Sequence, residues 1–310
     1  MQVLHVTNGT SVSLSESGLA GEVLAWVDAL HEGPVPAGLG PDELRRIRGL
    51  FLDGEGPGET SAMAELERRD RALESFAQHE EVVLWFEHDL YDQLQLIQIL
   101  DRLRQRAVLE PASATRLSLI CIDQYLGQLT GPQLATLWPE RRPVTPGELD
   151  QAAAAWQAFR SPDPMDIDRL LRRDTSALPF LAAAMGRHLQ QFPSVENGLG
   201  RTERQILELV RAGTRSFDGL FAADRRLEET IFMGDGFYRR YLRGLTECRH
   251  PLLRIEDGDY QLTETGDEVL EGRTDHVHRN GVNRWLGGVH LNGTEVLWRW
   301  DQRARRLVAH

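Results

Sequence analysis

Residues 81–103 read EVVLWFEHDLYDQLQLIQILDRL, and this stretch decides the fold class. Its first seven residues are almost continuously apolar, the pattern of a strand buried on both faces rather than one shared between core and water. Polar residues His88 to Asp92 follow. Apolar side chains then recur at 94, 96, 97, 99, 100 and 103, the spacing of an amphipathic helix over about 92–104. A doubly buried strand that runs through a polar turn into a helix is the repeating half of a parallel α/β sheet.

Working outward, QVLHVT (2–7), EVLAWVDAL (22–30) and RLSLICI (116–122) read as three more strands. Helices over about 41–52 and 60–79 fill the gaps. The expectation is an α/β domain over 1–126 with a mostly parallel, Rossmann-like sheet. Residues 127–195 read as a helical connector. Pro143-Val144-Thr145-Pro146 sets a break, and helices cover about 147–160, 164–173 (capped by Asp163) and 177–191. Over 196–274 the pattern changes: Thr202 is expected to cap a helix stopped by Gly213, others cover 216–228 and begin near Asp235. LLRIEDGDYQLTETG then turns on Asp257-Gly258, a type I′ hairpin signal. Three helices followed by a hairpin predict a winged-helix module. Residues 275–310 predict a three-stranded antiparallel β-meander with Asn292-Gly293 as a hairpin turn, preceded by NGVNRWLGG, a Trp anchor with a Gly pair that lets backbones approach.

Composition narrows the chemistry. All 35 basic residues are arginine, so Schiff-base chemistry, a lysine-linked cofactor, a Walker-type phosphate loop and a lysine base are excluded. Net charge is −12, which argues against coating nucleic acid through bulk charge. Cys121 and Cys248 alone make neither a disulfide framework nor a zinc site. No apolar run approaches the ~18 residues of a membrane span, and no export signal is read at the N-terminus. The expected location is the cytoplasm, away from the membrane.

In open parallel sheets ligands bind beyond the carboxyl ends of the strands. The predicted strands end in Asn8, Thr10 and Ser11; in Asp28, His31 and Glu32; in Glu87, His88, Asp89, Tyr91, Asp92 and Gln93; and in Asp123. His31, Glu32, Glu87, His88 and Asp89 are the catalytic candidates, with a histidine as general base and carboxylates to orient it. Asn8, Thr10, Ser11, Tyr91 and, from the tail, Arg284 are candidate contacts to an anionic substrate. Asp92 and Asp123 are candidate metal ligands, and oxygen donors favour Mg²⁺ or Mn²⁺. Blander roles stand beside these: Asn8-Gly9 as a plain turn, Gly33-Pro34 as a loop bend, Asp89 or Asp92 as a helix N-cap. No HExxH, CxxC or helically spaced His pair is present.

In the winged-helix reading, Arg239, Arg240 and Arg243 on the third helix are candidate DNA contacts. Residues 201–273 carry 12 Arg against 15 Asp plus Glu, and the wing (Glu256, Asp257, Asp259) is acidic. DNA binding is therefore expected to be weak or absent.

The ordered strings LHVTNGTS, LHEGPVPAGL, VVLWFEHDLYDQLQL and LSLICID resemble the bacterial family called domain of unknown function 1835, over roughly residues 1–125. AFRSPDP, LPFLAAAMGRHL, NGLGRTERQIL and NRWLGGVHL are similar to the C-terminal half of its long members. The usual opening resembles HVTNGDS, whereas Thr10 stands here at the acidic position. The resemblance implies no reaction. The expected function is an intracellular hydrolase or transferase acting on a small anionic, phosphate- or nucleotide-bearing molecule. The alternatives are a ligand-sensing, DNA-binding regulator and a protein-interaction adaptor.

Overall fold

The computed structural model describes residues 2–54, 61–109 and 114–309. Five strands form the central sheet: β1 (Val3–Thr7), β2 (Glu22–Ala25), β4 (Glu81–Phe86), β5 (Arg116–Cys121) and β6 (Arg142–Pro143), with β3 (Gly33–Pro34) lying outside it. Their order is β2-β1-β4-β5-β6. All pairs are parallel except β5 with β6. The apolar run at 82–86 behaves as its pattern predicts. Val82, Leu84 and Phe86 enter one core cluster, while Val83 and Trp85 enter another with Leu14, Leu126 and Leu134.

The first half also carries α1 (Pro41–Asp53), α2 (Ala62–Glu74) and α3 (Leu90–Leu109). Thr60, the expected start of the second helix, lies outside the described residues. The connector holds α4 (Gly131–Leu137), α5 (Pro146–Arg160), α6 (Met165–Leu171) and α7 (Leu181–Leu189). Asp163 is not the cap of α6: Pro164 holds that position, and Asp163 one residue earlier accepts from Met165 N through Oδ1 (3.0 Å).

The second expected strand is shorter than its apolar run. It ends at Ala25, and Trp26 to Glu32 form a loop that is buried except at Val27. The reason is a competing set of side-chain partners. Arg48 donates to the carbonyls of Ala29 (3.0 Å) and Glu32 (2.6 Å), and Gln95 donates to that of Asp28 (3.0 Å). These bonds replace a strand ladder for buried carbonyls.

Three helices follow: α8 (Arg201–Arg211), α9 (Phe217–Leu227) and α10 (Asp235–Glu247). After them comes the hairpin of β7 (Leu253–Glu256) and β8 (Asp259–Leu262), then α11 (Glu264–Leu270) and α12 (His276–Asn280). Asp257 and Gly258 take φ values of 53° and 86°, as a type I′ turn requires. Thr202 is not the cap of α8. Gly200 holds that position, its N–H donating to Glu203 Oε2 (2.7 Å), while Thr202 is buried and donates to Gln191 (3.1 Å).

The tail is two antiparallel hairpins rather than one meander: β9 (Val282–Gly287) with β10 (Val289–Gly293), and β11 (Trp298–Asp301) with β12 (Arg306–Ala309). Asn292 sits in the ladder opposite Asn283, so Asn292-Gly293 is not the turn. The turn falls on Gly287-Gly288, where φ of Gly287 is 59°. It presses against the end of α5: Gly288 N donates to Phe159 O (2.9 Å), and a Cβ on Gly288 would lie 1.8 Å from Arg160 O. The Gly pair thus permits close backbone approach. β9 also pairs in parallel with β3. One continuous core cluster includes Leu4, Phe86, Trp156, Phe192, Leu242 and Leu307. Among the described residues no helix is long and apolar enough to cross a membrane.

Candidate functional site

The chain order of the sheet reverses at β1, with β2 on one side and β4 on the other. A crevice beyond the carboxyl ends of such strands is the usual ligand position in open α/β sheets. Asn8 leaves β1 there and Glu87 leaves β4. Asn8 Nδ2 donates to Glu87 Oε1 (3.1 Å) and to Asp92 Oδ2 (2.8 Å). Glu87 Oε1 also accepts from Leu126 N (2.7 Å), and Asp92 Oδ1 accepts from Glu87 N (2.7 Å). Asp89 Oδ1 accepts from Asp92 N (3.2 Å), so Asp89 fills the N-cap role before α3. The cap accounts for Asp89 and leaves Glu87 and Asp92 without a helical duty.

Glu87, Asp89 and Asp92 each offer a carboxylate oxygen within 4.8 Å of the others, and all three are buried. Among the described residues no arginine or histidine pairs with any of them. Burial raises all three carboxyls above their ordinary values. The neighbouring carboxylates raise Asp89 and Asp92 further, and Asp89 reaches about 7. Asn8 Oδ1 is buried beside them with no hydrogen-bond partner among the described residues. This set is rich in oxygen donors and poor in positive charge, the composition of a hard-cation site.

His88 stands next to this cluster, its ring 5.1 Å from Tyr125 and 5.9 Å from Phe180. Burial lowers its pKa, opposed by the Asp123 carboxylate and the Ile122 backbone. Asp123 itself is exposed and lies outside the carboxylate group, as do the exposed Thr10 and Ser11 on the loop after β1. Gln93 donates to Glu87 O (2.7 Å) and ties the start of α3 to the end of β4. Tyr125 Oη accepts from Ile231 N (2.5 Å), so the loop before α10 closes over this end of the sheet.

His31 and Glu32 belong to a second locus. The His31 ring packs edge-on against Tyr91 (5.9 Å), Phe232 (5.2 Å) and Phe237 (5.5 Å), and neither ring nitrogen has a hydrogen-bond partner among the described residues. Burial, then the charges of Arg48 and its neighbours, lowers its pKa to about 3. Tyr91 links the loci, since it stands in the first turn of α3 beside Asp92. Glu32 Oε1 accepts from Tyr241 Oη (2.5 Å) and Arg284 Nη2 (2.8 Å). Burial raises its pKa, against Arg284, Arg240 and Arg48. The supporting Arg48 is buried and grips Asp28 Oδ1 through Nε (3.0 Å) and Nη2 (2.6 Å). The rim candidates are therefore divided: Asn8, Glu87, Asp89 and Asp92 meet, His31, Glu32 and Arg284 meet separately, and Asp123 joins neither group.

The helix carrying the DNA-contact candidates packs onto the α/β half. Phe237 stacks on Phe51 at 6.3 Å, and Tyr241 reaches Glu32. Arg239 lies over the Phe217 ring (3.4 Å), and Arg240 is partly buried over Phe51 (5.0 Å). Sequence reasoning missed Tyr241 and Arg48, which hold Glu32 and Asp28. Each acts across a long chain separation, and nothing in its local pattern marks it. No family model matches the chain, and no curated protein matches it.

Proposed function

We propose that this protein is a divalent-cation-dependent hydrolase or transferase that acts on a small phosphate-bearing substrate at the carboxyl rim of its sheet. One observation carries the reading: three buried, mutually close carboxylates with no cationic partner among the described residues, beside a buried Asn8 Oδ1 that has no hydrogen-bond partner there. Glu87, Asp89, Asp92 and Asn8 would hold the cation, and Mg²⁺ or Mn²⁺ suits such donors. When bound, the ion supplies Lewis-acid polarisation of a phosphoryl oxygen and a water of lowered pKa. The Asn8 amide and the Leu126 N–H hold Glu87 and Asp92 in one geometry. His88, kept neutral by burial, is the general base. The Thr10 and Ser11 hydroxyls, exposed at the mouth, contact the phosphate. Phe180 and the Tyr125–Ile231 contact limit water at His88.

The finer fold assignments belong to the same reading. The strand order supports a Rossmann-like sheet, and the run from α8 to β8 with its type I′ turn supports a winged-helix module. That module serves to pack on the α/β half, since its third helix gives Phe237 and Tyr241 to that contact. The resemblance of residues 1–125 to domain of unknown function 1835 fits a site at these strand ends, because its strings fall on β1, the loop to β3, β4 and β5.

The test is Mn²⁺ titration followed by electron paramagnetic resonance, then phosphate release from a panel of phosphomonoesters and nucleotides. Saturable binding by the wild type, lost in Asp92→Asn, and cation-dependent release lost in His88→Gln are the expected results. Wild-type protein that binds no Mn²⁺ at millimolar concentration would overturn the reading.

A further inference from the structure

The rim carboxylates are shut away from solvent: Glu87, Asp89 and Asp92 are only 1–4 % exposed, and Asn8 is buried beside them. A substrate reaches them only if a covering segment moves. The segment between α9 and α10, Glu228 to Gly234, is placed to be that cover. Ile231 N donates to Tyr125 Oη, and the Tyr125 ring stands against His88. Phe232, next in the chain, sits edge-on to His31, which packs in turn on Tyr91 in the first turn of α3. Through His88 and Tyr91 the two contacts bracket the turn that carries Asp89 into α3.

Residues 229–233 are held differently from the helices they join. Among the described residues they form no backbone–backbone hydrogen bond, so the Tyr125 hydroxyl is the partner of the Ile231 N–H and no ladder has to break when the segment lifts. One end is fixed. Glu228 is buried in an ion pair with the buried Arg187, whose Nε donates to Oε2 (2.8 Å) and Nη2 to Oε1 (2.8 Å), and Arg201 Nη2 donates to Leu227 O (3.1 Å). The other end can turn: Gly234 is exposed, and a Cβ there would meet nothing within 4 Å. Residues at the end of an element commonly absorb the dihedral change of a closing loop. We propose that residues 229–233 are a lid that lifts from Tyr125 and His31 to admit substrate and closes on them to exclude water from the rim. The gating role rests on the carboxylate cluster being the reaction site; the lifting itself does not.

The test is hydrogen–deuterium exchange of the full chain in EDTA, read peptide by peptide by mass spectrometry. Peptides over 229–233 should exchange through openings that leave α9 and α10 protected. Tyr125→Phe removes the acceptor of the Ile231 N–H and should speed exchange there about two- to tenfold, the worth of one hydrogen bond, with α9 and α10 unchanged. Diethyl pyrocarbonate gives a second readout. Phe232→Ala should raise modification of His31 about tenfold or more, since burial of the ring favours the closed form by at least that factor. His188, packed on Phe159 and Phe192, should stay unmodified. A thermal melt of each variant checks folding, and Tyr125→Phe is the second variant should Phe232→Ala melt early. Exchange over 229–233 no faster than in α9 and α10, or unchanged by Tyr125→Phe, would overturn the proposal. Stopped-flow Mn²⁺ association separates lid from site. Wild-type protein that takes up no Mn²⁺ overturns the reaction site and leaves the lid standing on its exchange. Mn²⁺ uptake at one rate in wild type and Tyr125→Phe, with faster exchange in the variant, overturns the gate.

Discussion

Replacing Asp89 by Asn should stabilise the cation-free protein. Asp89 is 3 % exposed, and burial, joined by the Glu87 carboxylate, outweighs the Asp92 N–H and lifts its pKa from 3.8 to about 7. The folded state therefore holds a proton that the unfolded chain releases. Its contribution to stability is intact below pH 3.8 and is lost as pH rises through 7. About three pH units at about 1.36 kcal/mol each give a loss of up to about 4 kcal/mol at pH 8. Asparagine keeps the shape and still accepts the Asp92 N–H as a cap, but carries no charge. In EDTA at pH 8 the variant should be more stable than wild type by up to about 4 kcal/mol. That difference should shrink to nothing by pH 4. Urea unfolding midpoints across this range give the measurement, and added Mn²⁺ should stabilise the wild type and not the variant. If the variant is less stable at pH 8 in EDTA, or the difference is flat with pH, burial is not what keeps the proton on Asp89. The argument for a cation at this cluster then loses its electrostatic basis.

Acid should act with the opposite sign through His31 and His188, both lowered to about 3 chiefly by burial. Their stability is present above the unfolded value near 6.5 and is lost as pH falls toward 3, by up to about 5 kcal/mol each; His188→Phe should flatten this limb in acid titrations followed by circular dichroism. Arg48→Ala leaves the buried Asp28 with only the longer Arg69 contact (3.6 Å) and should cost about 3 kcal/mol in urea unfolding, with Asp28→Asn in the same chain restoring part of it. Gly288→Ala should reduce soluble yield and lower the melting temperature, because its Cβ would lie 1.8 Å from a backbone oxygen of α5. Duplex DNA should bind weakly, since only Arg239 and Arg243 of the α10 candidates are exposed. Two phosphate contacts correspond to a slope of log K against log salt near about −1.8, measured by fluorescence anisotropy.

The sheet was readable because each of its main strands announces itself within six or seven residues. VVLWF (82–86) alternates its side chains between two cores and therefore has to be apolar throughout. The gathering of Asn8, Glu87, Asp89 and Asp92 followed from strand ends alone, because parallel strands share a rim. The position of His31 did not follow from local pattern. It depends on Arg48 drawing the loop away from the strand ladder and on aromatic rings contributed by Phe232 and Phe237. The turn at Gly287-Gly288 was obscured by the stronger local signal of Asn292-Gly293. Contact with Phe159 and Arg160 outweighed that preference, and no window of neighbouring residues contains such a contact. Tyr241 lies 209 residues from Glu32, and its hydroxyl has no local mark to set it apart from a core tyrosine.

The pairing of β3 with β9 places a schedule on synthesis. Gly33 and Pro34 leave the ribosome about 250 residues before Leu286 and Gly287, their partners. At roughly 5–20 residues per second, that is an interval of about 12–50 s. Throughout it the growing chain carries Glu32 without Arg284, and for most of it without Tyr241. The first half thus emerges with the Glu32 carboxylate lacking its two side-chain partners, on a loop whose carbonyls Arg48 and Gln95 already hold. A chain halted before residue 282 lacks β9 and Arg284, so quality control that reads exposed segments has a direct signal for incomplete copies.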